Sequence, residues 1–325
     1  MKLHIKPYKG QHCESTATGT LLGQLGIELS EPLLFGLGEG LGFIIWNMKA
    51  MNMPFIGGRI KPDLLTENIV KNLGLKLIVK ETSSKTKAWR SVKELLDNGK
   101  AVGLKLDCWH LEYFTKLIHF AGHYVAIIGY DEENAFLVDT VQQGSEVRSS
   151  LESLESARNA KGLMSSKNLF YVIEREKEMI PLETAVLKAI HNNATAYLNP
   201  PIKNLTYKGI HKASDEIVKR FDSSKDIKHD FETAAMLMEK AGTGGAIFRN
   251  VYRDFLKEAY TLTHNDMIKA AHLSFVAIAE DWTEIINLLK KTGAVQDRRY
   301  VSEASNKMKE VSGKEKEAML LLESI

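Results

Sequence analysis

Gly10-Gln11-His12-Cys13-Glu14-Ser15-Thr16 sets one of only two cysteines in a short polar stretch where a helix begins. Ala17, Leu21 and Leu25 follow one helical turn apart, with Leu22 beside them and Gly26 as the stop, so the spacing predicts a buried helix whose first turn carries Cys13. Free N–H groups and the helix dipole at such a terminus favour thiolate over thiol, which makes Cys13 a candidate nucleophile. A cysteine at a helix start is equally at home as a small packed hydrophobe, so the assignment needs a base.

The base lies further along the chain. Gly122-His123-Tyr124-Val125-Ala126-Ile127-Ile128-Gly129-Tyr130 and Ala135-Phe136-Leu137-Val138-Asp139 read as two strands joined by the polar turn Asp131-Glu132-Glu133-Asn134. With the turn centred on Asp131, His123 and Asp139 lie equally far to either side, pair directly and point to one face; a one-residue slip would separate them. Cys13 as nucleophile, His123 as general base and Asp139 as the group that orients the imidazole form one device for acyl transfer. The developing oxyanion needs donors about 3 Å away. The Cys13 backbone N–H and Gln11 are the candidates. Individually, His123 also fits a core histidine and Asp139 a turn-forming carboxylate. His12, Cys13 and His123 lack paired metal-ligand spacing, so no metal is expected.

Around this device the chain reads as an α+β region. Residues 2–8 are expected as a short strand, residues 63–73, 87–96 and 151–160 as helices, and residues 43–46, 75–79, 101–106 and 169–173 as strands. In Leu33-Leu34-Phe35-Gly36-Leu37-Gly38-Glu39-Gly40-Leu41-Gly42-Phe43 glycine recurs at alternate positions. The dinucleotide and P-loop patterns both fail there, which leaves close backbone approach to a neighbouring strand or to a ligand; Gly38 and Gly40 are the candidates for the latter. From Pro181 strand signals vanish and helical patterns follow one another, separated by Asn199-Pro200-Pro201, Asp222-Ser223-Ser224 and Gly242-Thr243-Gly244-Gly245. The expected division is therefore an α+β catalytic domain over residues 1–178 and an all-helical domain over 179–325 that covers or completes the substrate site. Gly244 and Arg249, where a helix opens after the last break, are candidates for a phosphate contact; a plain turn and a paired arginine satisfy the same residues.

Composition sets the outer bounds. At 325 residues the chain is long enough for two domains, and a formal net charge of +2 supplies no field for nucleic acid. No signal-peptide pattern or apolar span is evident, so the expected location is the cytoplasm, where both cysteines remain thiols.

His12 to Ala17, the Leu33–Phe43 glycine segment and the His123–Asp139 hairpin together resemble the N-terminal domain of the butirosin biosynthesis acyltransferase family. Gly242 to Arg249, followed by Tyr252 and Phe255-Leu256, is similar to its companion helical domain. The resemblance implies a papain-like cysteine fold and transfer of an aminoacyl group from the phosphopantetheine arm of an acyl carrier protein to an amine. No bound cofactor is implied beyond that arm. Carried onto this chain, Cys13 takes the acyl group, His123 serves as base and then acid, and Asp139 orients His123. Papain-like enzymes place their oxyanion glutamine further ahead of the cysteine than Gln11 stands. A cysteine peptidase or amidase on the same fold, and a ligand-binding protein without catalysis, stay open as alternatives.

Overall fold

A computed structural model of the chain describes residues 1–47, 53–115, 119–162, 165–240 and 245–325, with the side chains of Lys240 and Gly245 left aside. The chain forms an N-terminal region built on a sheet and a C-terminal region of helices, and it divides into two compact units. Met1–Leu34 and Pro62–Ile180 make the first unit; Phe35–Lys61 and Pro181–Ile325 make the second. A single cut near residue 178 misses this exchange, because residues 35–61 precede most of the sheet in sequence yet pack in the helical core. Among the described residues no helix is long and apolar enough to cross a membrane.

In chain order the elements are α1 (Cys13–Gln24), α2 (Glu31–Leu37), β1 (Leu41–Trp46), β2 (Phe55–Arg59), α3 (Leu64–Leu73), β3 (Lys76–Lys80), α4 (Lys85–Asp97), β4 (Val102–Leu106), β5 (His123–Tyr130), β6 (Asn134–Val138), β7 (Glu146–Ser150), α5 (Leu151–Asn159) and β8 (Phe170–Glu174). Six helices follow: α6 (Leu182–Leu198), α7 (Thr206–Ser223), α8 (Ile227–Lys240), α9 (Gly245–Thr263), α10 (Asp266–Val295) and α11 (Arg298–Glu323).

The first unit is an antiparallel six-stranded sheet in the order β3-β8-β4-β5-β6-β7. Val102, Leu104, Val125, Ile127, Leu137, Phe170 and Val172 pack with Val92 and Leu96 of α4 and Leu154 and Ala157 of α5. α1 packs against β5, and its residues Glu14 to Leu22 are all buried. Being buried on every side, α1 carries no apolar stripe. Its hydroxyls turn back on the helix instead: Thr16 Oγ1 donates to the His12 carbonyl at 2.8 Å and Thr20 Oγ1 to the Thr16 carbonyl at 2.9 Å.

α3 is capped from outside. Asp63, at its N-cap, sits in a left-handed conformation (φ 77°), makes no cap bond and gives its carboxylate to Lys105 and Tyr124. Glu14 of α1 takes over that duty, accepting from the Thr66 N–H and hydroxyl at 3.2 Å each.

The β5–β6 turn is fixed by Asp131, whose Oδ1 accepts from the Glu133 and Asn134 N–H groups at 2.9 and 2.7 Å. Those bonds hold the exposed Asp131 carboxyl down at about 2. The register shifts between Ile127 and Gly129, and Ala126 then faces Val138. Continued by one residue, that register sets Asp139 opposite Val125. Direct pairing of His123 with Asp139 is therefore incorrect: the two are diagonal neighbours. The offset is even, so the shared face survives. The strand expected over residues 2–8 is reduced to a single bridge, Lys2 to Gly129, with the Leu3 N–H donating to the Ile128 carbonyl at 2.8 Å.

In the second unit β1 and β2 form an antiparallel hairpin, and β1 is bridged to Leu205 at the start of α7. α10 and α11 form a helical hairpin turned at Gln296 (φ 57°). Phe248, Tyr252 and Phe255 of α9 and Phe275 and Trp282 of α10 are fully buried, so the aromatic face of α9 is core.

Candidate functional site

Antiparallel pairing brings the start of β5, the end of β6 and the end of β4 to one edge of the sheet; Leu106 pairs with His123 there. The turn before α1 is tied to the same edge by the Val141 N–H, which donates to the Gly10 carbonyl at 2.9 Å. Cys13, His123 and Asp139 meet there.

His123 Nε2 stands 2.8 Å from Asp139 Oδ2. Asp139 is 0% exposed, yet every oxygen is served: Tyr113 Oη donates to Oδ2 at 2.9 Å and the Thr140 N–H to Oδ1 at 2.6 Å. Burial pushes this carboxyl up, but the His123 charge and these hydrogen bonds outweigh it and hold the acid below its ordinary range. For His123 burial pulls the imidazolium down, and Asp139 and Cys13, by charge and by hydrogen bonding, lift it well above the usual histidine range. With Nε2 engaged by Asp139, Nδ1 is the nitrogen available to the thiol. Phe114 sets its ring edge against the imidazole, 5.2 Å between centroids at 86°. Cys108, buried beyond the end of β4, has its thiol pushed up by that burial.

Cys13 is half-buried at the first position of α1. Its N-cap, His12, gives no side-chain cap bond. The cap comes from Glu31, whose carboxylate accepts the Gln11 N–H at 3.0 and 2.9 Å, the His12 N–H at 2.8 Å and the Ser15 hydroxyl at 2.7 Å. A Cβ on Gly10 would come within 2.9 Å of Glu31 Oε1, so the turn admits only glycine there without a shift. Gln11 is exposed and its backbone N–H is spent on Glu31, so what it retains for an oxyanion is its side-chain amide.

Of the remaining candidates, Gly38, Gly40 and Arg249 lie in the second unit. A Cβ on Gly40 would meet the Phe35 ring at 2.6 Å and the Phe35 carbonyl at 2.8 Å, so the space that glycine opens is filled by the chain itself. Gly38 is likewise buried. Gly244 lies outside the described residues. Arg249 does not offer itself to a phosphate: it is 0% exposed, paired through Nε and Nη2 with Glu315 at 2.8 Å each, and donates from Nη1 to the Gly58 carbonyl at 2.9 Å.

Sequence reading missed Glu31 and Tyr113. Neither belongs to a local motif; Glu31 stands a whole helix away from Cys13, and Tyr113 lies in the β4–β5 connection. Only the fold brings them in.

A thiol at a helix start, an imidazole and a buried carboxylate form the donor–acceptor chain on which thiol nucleophiles operate. The family model described as butirosin biosynthesis protein H, N-terminal, matches residues 12–140. A second model, a domain of unknown function (DUF4872), matches residues 152–322, more than half of the chain. The chain belongs to the family of proteins that these two models describe, with the butirosin biosynthesis protein H N-terminal domain in its first part. No curated protein matches it.

Proposed function

We propose that the first unit is a papain-like cysteine domain and that the protein is a thiol acyltransferase of specialised-metabolite biosynthesis. The family description, which names butirosin biosynthesis, supports the pathway class. The observation that carries the chemistry is the His123 imidazole held by Asp139 and coupled to Cys13. The Cys13 proton passes to His123 and the sulfur attacks the carbonyl of a thioester, for which a carrier protein's phosphopantetheine arm is the proposed donor. The tetrahedral adduct collapses, the donor C–S bond breaks, and the departing thiolate takes the proton from His123. An amine then attacks acyl-Cys13, gives a proton to His123, and the second C–S bond breaks to restore the thiolate–imidazolium pair. The Cys13 N–H, at a helix terminus where no intrahelical acceptor exists, is the proposed main-chain oxyanion donor.

Intact-protein mass spectrometry with a panel of acyl thioesters tests this reading. A mass gain that Cys13→Ala abolishes, discharged faster by amines than by water, is expected. Discharge by water alone would make the protein a hydrolase, and no gain with any donor would defeat the acyl-enzyme.

A further inference from the structure

Glu31 supplies four hydrogen bonds to the segment that presents Cys13, three of them through Oε1. Its carboxylate accepts the N–H of the N-cap residue itself, as the glutamate of a capping box does, and the Gln11 N–H before it. Two consecutive main-chain N–H groups, at Gln11 and His12, are turned toward it, which fixes the peptide planes ahead of Cys13. The other end of the turn is held by the Gly10 carbonyl and the Val141 N–H, two residues beyond Asp139. The nucleophile turn is thus braced on one side by Glu31 and on the other by the strand end that carries the carboxylate. The N-cap residue His12 gives no side-chain cap bond, and the Ser15 hydroxyl is engaged by Glu31 and by the His12 carbonyl at 3.0 Å.

We infer that Glu31 is a positioning residue for the acyl-transfer step, setting the direction of the Cys13 sulfur and N–H through the main chain of Gln11 and His12. The inference rests on the reading of Cys13 as nucleophile. Glu31 touches no reacting atom; its effect is on the rate constant of a step that needs sulfur, imidazole and oxyanion donor aligned, where a displacement of about 1 Å costs about 100-fold. Gln in its place keeps a carbonyl oxygen for the three contacts at Oε1 and loses only the second contact to Gln11. Asp keeps the charge but withdraws it by one methylene.

The experiment is single-turnover acylation of Cys13 by an acyl thioester, followed by intact mass, in Glu31→Ala, Glu31→Asp and Glu31→Gln, with iodoacetamide labelling of Cys13 in parallel. Expected for Glu31→Ala is a rate constant down about 100-fold with the donor KM unchanged and the label confined to Cys13. Glu31→Asp falls about 10-fold and Glu31→Gln stays within about 5-fold of the parent. A residue that merely holds the fold would leave unfolded molecules in which the buried Cys108 is alkylated as well, and would leave the rate constant of the folded molecules alone. That pattern, or a parental rate in Glu31→Asp, overturns the inference even if Glu31→Ala fails to fold. The alkylation arm needs no acyl donor. A protein that no thioester acylates, but whose alkylation rate still follows Ala < Asp < Gln at position 31, would lose the acyl-transfer reading and keep the brace.

Discussion

Among the described residues each unit buries one ion pair, and the two are finished differently. In the second unit Arg249 and Glu315 are both 0% exposed, and Glu315 also accepts from Trp282 Nε1 at 2.7 Å and from Tyr197. Three guanidinium nitrogens and both carboxylate oxygens are engaged, with the Trp282 ring 5.1 Å from the guanidinium carbon. Burial opposes the Arg249 charge, and Glu315 more than restores it. In the first unit Asp139 is closed in the same way, but its partner is an imidazole with a second nitrogen. A pair whose every group is spent inside the protein is structure. One that keeps a second ring nitrogen beside a thiol is the pair on which the proposed acyl transfer draws.

The largest expected effect comes from removing that spare atom. His123→Ala should slow acylation of Cys13 in the folded molecules by about 10³- to 10⁴-fold, and because it leaves the buried Asp139 without its counter-charge it should also lower the urea unfolding midpoint. A loss below about tenfold would put His123 back among core residues. Arg249→Met is the converse. It leaves Glu315 buried without its counter-charge and should cost about 3–5 kcal/mol of unfolding free energy, with acylation by the folded fraction unaltered. Unchanged stability would erase the contrast between the pairs.

The smallest effect is in the pH dependence of stability. His123 has its folded pKa raised, so its contribution is complete below the unfolded value of about 6.5 and drains away as pH rises through the folded value. Asp139 has its pKa lowered, so its contribution is present above about 3.9 and is lost as acid carries the pH down through the folded value. Together the two favour the folded state most between those limits. Unfolding free energy measured from pH 6 upward should decline by at most about 1.4 kcal/mol per pH unit from this source. Cys13→Ala, which removes one support of the imidazolium, should bring the decline to lower pH, and His123→Ala should abolish it. A decline that persists in His123→Ala would assign it to another group. Arg249 adds no slope in this range, since a guanidinium does not titrate there.

Much of this arrangement was legible from the chain. The break at Asn199-Pro200-Pro201 lies between α6 and α7 and that at Asp222-Ser223-Ser224 at the end of α7, because proline and cap residues act locally, while Gly242-Thr243-Gly244 lies outside the described residues. The strand alternation makes the hairpin legible, but its centre is not at Asp131: the Asp131 side chain closes a turn running to Asn134, and a bulge lies ahead of it between Ile127 and Gly129. Period-two geometry forgave an even error: His123 and Asp139 kept one face although they do not pair. Cys13 was read from its position at a helix start, and the apolar spacing behind it was a thin signal because α1 is buried all round with Ser, Thr and Gly. Arg249 looked like an anion site because its partner, Glu315, lies far along the chain. Glu14 and Glu31 are the same lesson twice, since each caps a helix other than its own and no sequence window contains both ends of the bond.

The way the chain changes units bears on how such a protein can be inherited. It passes between them after Leu34, after Lys61 and after Ile180. The two family matches meet instead between residues 140 and 152, and the first of them runs straight through the loaned segment. A single break in the gene after Ile180 keeps every residue of the first unit but parts Phe35–Lys61 from the helices of its own unit, and no single break delivers the second unit whole. The helical unit cannot be passed on by simple fusion, because part of it is written inside the coding sequence of the other.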